Sequence, residues 1–214
     1  MNCIHLHQVT PHIFADRDLS HSDVWQQDLT LEKGKSYLVE AMSGTGKSSL
    51  CSYLLGFRND FTGTILFDNT PTSSFKVRDW VEIRRCRLSH LFQELRLFPE
   101  LTAYENIEIK NRLTHHLPPQ RIKEWFERLD IADKLQSPVG QLSFGQQQRV
   151  ALVRALAQPF DFLLVDEPVS HLDDHRSAIM GAIISEEVQK QGAGLIVTSI
   201  GKHIHLPYDR QLHL

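Results

Sequence analysis

The chain has 214 residues, 41% apolar and 23% charged, enough for one sizeable α/β domain or one domain with a small insertion and ordinary for a soluble globular protein. Its 26 acidic and 23 basic side chains leave a net charge of −3, which argues against a nucleic-acid surface as the main feature. Three widely spaced cysteines without a C-x-x-C read as reduced thiols, no run of about 18 apolar residues predicts a membrane span, and the opening Met1-Asn2-Cys3-Ile4-His5-Leu6-His7 lacks the basic-then-apolar pattern of a secretory leader.

In chain order, residues 3–9 read as a strand, followed by a polar stretch from His12 to Asp23. Trp25 to Leu31 reads as a second strand, closed by the turn Glu32-Lys33-Gly34-Lys35. The short apolar run Ser36-Tyr37-Leu38-Val39-Glu40 leads into Ala41-Met42-Ser43-Gly44-Thr45-Gly46-Lys47-Ser48-Ser49, and Ser48 to Leu55 carries apolar residues at helical spacing. Gly63 to Phe67 is a further strand with its turn at Asp68-Asn69-Thr70-Pro71, and Arg87 to Phe92 is another, ending at Gln93. From Glu94 to Gln141 the pattern becomes helical, over Thr102–Leu113 and Pro119–Leu129, with Thr102 and Glu105 spaced as a capping box. Ser143 opens a long helix, Phe162 to Val165 is a strand apolar on both faces, Ser177 to Lys190 is helical, Leu195 to Thr198 is a second buried strand, and the tail Arg210–Leu214 suits an edge strand. Twelve histidines include the pairs His5/His7 and His203/His205, which read as solvent-facing strand residues because no further ligand set has metal spacing.

Strand, glycine loop and helix in succession around residues 41–49 form a cradle for a phosphate chain. Backbone N–H groups of such a loop turn inward and the helix N-terminus adds its positive dipole end. Gly44 and Gly46 let the backbone approach closely, Lys47 reaches the β- and γ-phosphates, and the Ser48 hydroxyl holds Mg²⁺. The match to G-x-x-x-x-G-K-[ST] departs at Ala41, which is harmless if its φ is negative and costs about 1 kcal/mol if it is left-handed. Asp166 stands at the end of the apolar strand 162–165, at the sheet edge where α/β folds bind ligands, and suits Mg²⁺ held with Ser48. Glu167 follows directly and can accept a proton from water attacking the γ-phosphate.

Leu142-Ser143-Phe144-Gly145-Gln146-Gln147-Gln148-Arg149 completes the set, and here the sequence resembles the ATP-binding cassette family, the nucleotide-binding subunits of membrane transporters. The resemblance covers nearly the whole chain, with the motifs in the family's order. Gln93, in Leu91-Phe92-Gln93-Glu94, resembles the Q-loop glutamine that serves near Mg²⁺ and the permease contact; Ser170-His171-Leu172-Asp173 resembles the D-loop. The resemblance implies an α/β P-loop NTPase cassette spanning 1–214: a mixed-sheet core at 1–93 and 143–214, an antiparallel β portion at its N-terminal side, and an inserted helical subdomain at 94–142. It implies ATP and Mg²⁺ as cofactors. The phosphates are bound by residues 41–49 and, from a second subunit, by Ser143 and the N–H groups of Gly145 and Gln146 at a helix N-terminus. Phe14 is the best-placed ring for stacking on adenine, an ordinary core role being the alternative. The implied partners are a transmembrane permease and a second ATP-binding subunit, identical or related, with no nucleic acid, and the implied location is cytoplasmic, on the inner face of the membrane through that permease. A single short cassette of this kind looks most like those of exporters or lipoprotein-release systems.

Two departures bear on rate. The family signature is usually Leu-Ser-Gly-Gly-Gln, and Phe144 replaces its first glycine, which predicts weakened binding in trans. The family has a histidine after its last buried strand, where this chain has Ser199, a shorter side chain that cannot become cationic. Slow hydrolysis is therefore expected, with Glu167 as base and Lys47, Gln93 and Ser199 around the γ-phosphate. The alternative is a hydrolysis-poor, ATP-gated clamp or regulatory cassette paired with an active one. A soluble cassette acting on nucleic acid and a P-loop kinase or GTPase are further alternatives. The short single cassette and its acidic charge count against the first, and the 143–149 segment, which has no role there, against the second.

Overall fold

Two kinds of apolar pattern sort the strands into two sheets. In this computed structural model all residues are described except Ser43, residues 169–173, Lys202, His203 and His205. The elements are β1 (Cys3–Pro11), β2 (Asp28–Glu32), β3 (Ser36–Glu40), α1 (Lys47–Leu54), β4 (Phe61–Phe67), β5 (Thr70–Pro71), α2 (Val77–Cys86), β6 (Leu88–Leu91), α3 (Ala103–Asn111), α4 (Pro119–Arg128), α5 (Phe144–Leu156), β7 (Phe162–Asp166), α6 (Asp174–Gln191), β8 (Gly194–Ser199) and β9 (Arg210–His213).

The alternating strands form an antiparallel sheet in the order β2-β1-β4-β5. Ile4 and Leu6 of β1 are fully buried, while His5 and His7 share the other face and contact Thr30 and Asp28 on β2. The ladder between β1 and β4 slips between His7 and Thr10. There Gly63 has φ +85° and any Cβ on it would lie 2.4 Å from the Gln8 carbonyl, so this bulge admits only glycine.

The continuously apolar strands form a parallel sheet in the order β6-β7-β8-β3-β9. Alternate residues divide between two cores. Leu38, Leu163, Val165, Leu195 and Val197 face one that includes α3, α4, α5 and α6; Tyr37, Val39, Leu164 and Ile196 face one that includes α1 and the antiparallel sheet. The expected mixed core with its N-terminal antiparallel portion is built as these two sheets, one of each kind. Residues 94–142 contribute α3 and α4. The first is capped as expected: Glu105 N–H donates to Thr102 Oγ1 at 3.1 Å, and Thr102 N–H to the Glu105 carboxylate at 2.8 Å. Asn106 fastens the preceding loop, accepting from Phe98 N–H at 2.8 Å and donating to its carbonyl at 3.0 Å.

Two elements differ from expectation. Strand β2 begins at Asp28 rather than Trp25, because Gln26 adopts φ 57° and breaks the extended run. Trp25 is buried instead against the glycine loop, its indole N–H donating to the Thr45 carbonyl at 3.0 Å. Helix α2 falls in a stretch to which no element was assigned. None of its side chains is fully buried, and only Trp80 and Ile83 lean on the antiparallel-sheet core, with Trp80 edge-on to Phe67 and Phe75.

Replacing Thr102 by alanine removes the hydroxyl half of the capping box and is expected to lower stability by about 1 kcal/mol. Urea denaturation measures it; a midpoint equal to that of the parent chain would mean that the box does not hold α3.

Candidate functional site

Parallel pairing delivers the ends of β3, β7 and β8 to one edge. Glu40 lies opposite Ser199, and Asp166 opposite Thr198. The loop leaving β3 is tied to this edge by Ala41 N–H donating to the Ser199 carbonyl at 3.0 Å. Ala41 is not among the residues with positive φ, so its departure from glycine carries no strain. Gly44 and Gly46 do adopt left-handed backbone, at φ 82° and 105°. Gly46 is the N-cap of α1, and a Cβ there would lie 2.8 Å from the Phe14 ring and 3.1 Å from Trp25. Thr45 closes the turn by donating its hydroxyl to the Met42 carbonyl at 2.8 Å.

Lys47, Gln93 and Glu167 converge although they come from α1, the segment after β6 and the segment after β7. The Lys47 ammonium contacts Glu167 Oε1 directly, and Gln93 Nε2 donates to Oε2 at 3.2 Å. Burial pushes the lysine below its ordinary pKa and nearby Asp166 pulls it back up. Glu167 is held at a left-handed φ of 45°, with its N–H donating to the Thr198 carbonyl at 3.1 Å. A non-glycine residue kept there stores strain where chemistry is expected. Asp166 accepts the Thr198 hydroxyl on Oδ1; burial raises its pKa above the usual carboxylate range, and the hydroxyl and Lys47 act against that. Lys47, Gln93 and Glu167 border a cavity of about 490 Å³ together with Phe14, Gly44, Gly46 and Ser48, while Asp166 lines a smaller hollow that shares Ser48 with it.

Ser49 and Phe14 line the same cavity. Ser49 is buried and accepts a hydrogen bond from Arg58 at 3.2 Å. Phe14 is buried at the cavity wall with the Arg17 guanidinium 4.7 Å above its ring. Met42, 76% exposed, borders with Thr45 an adjoining hollow behind Phe14. Ser143 caps α5, but its hydroxyl already accepts from Gln146 N–H at 3.3 Å, and the Gln146 side chain accepts from Ser143 N–H at 2.9 Å. A second capping box therefore engages the Gln146 N–H within the chain. Ser143, Gly145 and Gln146 do not line the cavity of this copy, and Phe144, first in the helix, is 45% exposed. Ser199 is fully buried at the end of β8, and its neighbour Ile200 lines the cavity there. Ser43, the D-loop residues 170–173 and the His203/His205 pair lie outside the described residues. Sequence reasoning missed Arg17 and Arg58, two cations at the cavity mouth; the spacing of Phe14 and Arg17 in a polar stretch was the available signal.

The sequence pattern of the ABC transporter family matches residues 25–170. The chain belongs to that family. It is the family's ATP-binding ATPase cassette. The lipoprotein-releasing system ATP-binding protein LolD of Shewanella frigidimarina is 31% identical over 188 residues, covering 86% of this chain and 79% of LolD. The macrolide export ATP-binding/permease protein MacB of Shewanella sp. (strain ANA-3) is 30% identical over 193 residues, covering 87% of this chain; the chain spans 29% of the length of that relative. Among solved structures, the dimeric bacterial ABC transporter cassette MJ0796 superposes with a TM-score of 0.78 at 25% identity, over 92% of this chain and 87% of that one. A dimeric post-hydrolysis state of the same protein, bound to ADP and Pi, gives 0.74 at 25% identity, with the same coverage. Among the described residues of this ABC cassette, no helix is long and apolar enough to cross a membrane.

A Gly46→Ala variant of the cassette must hold an L side chain at φ 105° against Phe14. The expected loss in ATP affinity is about tenfold, from about 1–2 kcal/mol of backbone strain. Calorimetric titration with ATP reads it, and an undiminished affinity would show that the loop reshapes without cost.

Proposed function

We propose that this chain is the ATP-hydrolysing subunit of a membrane transporter, working as a dimer with a second cassette and driving a permease from the inner face of the membrane. The observation that carries this reading is the convergence of Lys47, Gln93 and Glu167 at the wall of one cavity. An arriving triphosphate replaces the Glu167 carboxylate as the partner of Lys47, while the N–H groups of residues 44–48 surround the β-phosphate. Glu167, released from the ammonium, takes a proton from the attacking water, and Gln93 orients that water. Ser48 and Asp166, with Gln93 close by, offer oxygen donors of the hard kind that suits Mg²⁺; Thr198 fixes one Asp166 oxygen, and burial of that carboxylate favours a cation beside it. Mg²⁺ held by these residues would neutralise charge on the phosphates. Phe14 supports the adenine ring once Arg17 moves off its face.

Ser143 cannot serve the nucleotide of its own chain from outside the cavity, which supports a sandwich in which it reaches the triphosphate of a second copy or a related cassette. Its hydroxyl then exchanges Gln146 for phosphate, and the exposed Phe144 ring has to turn away. Residues 94–142 act as a helical subdomain on a core of 1–93 and 143–214, and the groove near Gln93 receives the permease. Relatives named for macrolide export and lipoprotein release support that class of transporter. The burial of Ser199 favours a second reading, in which hydrolysis is poor and the cassette is an ATP-gated clamp paired with an active partner.

Glu167→Gln keeps the fold but removes the base. With Mg-ATP it is expected to elute as a dimer in size-exclusion chromatography and without nucleotide as a monomer. A monomer in both conditions would overturn the sandwich, and a wild-type chain that also stays dimeric through prolonged incubation with Mg-ATP would select the clamp.

A further inference from the structure

One buried cluster adjoins the nucleotide chemistry and shares only Asp166 with it. Cys51 on α1, His90 on β6 and Asp166 on β7 each present a ligand atom, and the three atoms lie within 4.8 Å of one another. All three residues are buried. Both ring nitrogens of His90 are enclosed and have no hydrogen-bond partner, although the residue is only 8% exposed. A buried imidazole without any partner costs stability unless something else meets its nitrogens. Burial also holds His90 down to about 3, so the ring is neutral and keeps a lone pair to donate. Thr198 occupies Oδ1 of Asp166 and leaves the other oxygen to a further partner. A hollow of about 40 Å³ is lined by these three residues with Ser48, Glu94 and Arg96.

We propose that Cys51, His90 and Asp166 form a binding site for a borderline-soft divalent cation, Zn²⁺ foremost, which inhibits the ATPase by taking the Asp166 carboxylate. Thiolate, imidazole and carboxylate together are the donor set of zinc rather than of magnesium, which takes oxygens. Bonds of about 2.0–2.3 Å to a tetrahedral ion put ligand atoms roughly 3.3–3.6 Å apart, so the three atoms, now within 4.8 Å of one another, would have to draw in around the ion. Binding releases the thiol proton to solvent and forms S–Zn, N–Zn and O–Zn bonds, with a fourth position open towards the hollow. The inhibition rests on the reading of Asp166 as the Mg²⁺ carboxylate; the binding does not.

Optical titration of the full chain with Co²⁺, in the absence of nucleotide, tests the site. One equivalent is expected to give a thiolate-to-cobalt charge-transfer band in the near ultraviolet. The band is expected to vanish in Cys51→Ala, and the affinity to fall by about tenfold or more in His90→Phe. Cys51→Ala removes only the sulfur and His90→Phe keeps the ring size close, and thermal melting and ATP binding confirm their folding; should one fail to fold, the other decides. No band in the wild type, or one that persists in the folded variants, overturns the site and points to metal on the surface histidines. In the second arm Zn²⁺ is added to the Mg-ATPase assay. Inhibition that a chelator reverses and that needs about tenfold more Zn²⁺ in His90→Phe is expected. Cobalt binding without zinc inhibition overturns the inhibitory role alone.

Discussion

The contact between Lys47 and Glu167 governs how this cassette waits for its ligand. Both side chains are largely withdrawn from water, and separating a buried pair by deleting one partner typically costs about 3–5 kcal/mol. The pair spares the chain an unpaired buried ammonium. In the function proposed above, it would also link binding to catalysis, because a triphosphate that claims Lys47 would free Glu167. Gln93 touches the same carboxylate, so in that reading the segment leading towards the helical region would sense the exchange.

The rest of the fold serves this contact. Parallel pairing of β3, β7 and β8 brings the loop and the Asp166–Glu167 step to one edge. The connection between β1 and β2 supplies Phe14 and Trp25, which pack against the loop; Trp25 holds the Thr45 carbonyl and both rings leave no room for a side chain at residue 46. Two cores on opposite faces of the parallel sheet keep that edge rigid, one tied to α1 and the other to α3, α4 and α5.

Much of this was legible in the sequence because local chemistry and global placement agree there. The run from Ser36 to Ser49 declares strand, loop and helix by period and glycine spacing, and Asp166 declares the sheet edge by ending an apolar strand. The capping box of α3 was readable from Thr102 and Glu105. The same Ser-x-x-Gln spacing at Ser143 and Gln146 was available too, but read as an anion site its internal satisfaction went unnoticed. Trp25 was misplaced because its apolarity serves the loop, a tertiary contact with no period. Helix α2 escaped because it buries no complete face. Cys51, His90 and Asp166 are far apart in sequence, and only the packing of α1, β6 and β7 assembles them.

The exchange at Lys47 and the sandwich at Ser143 can be seen together in one crystal structure, that of the wild-type chain with Mg²⁺ and a non-hydrolysable ATP analogue. The account predicts two copies about a two-fold axis, Lys47 moved from Glu167 onto the β- and γ-phosphates, and Ser143 of the second copy within hydrogen-bond distance of the γ-phosphate. Lys47 still paired with Glu167 beside a bound triphosphate, or Ser143 facing solvent on both copies, would contradict it.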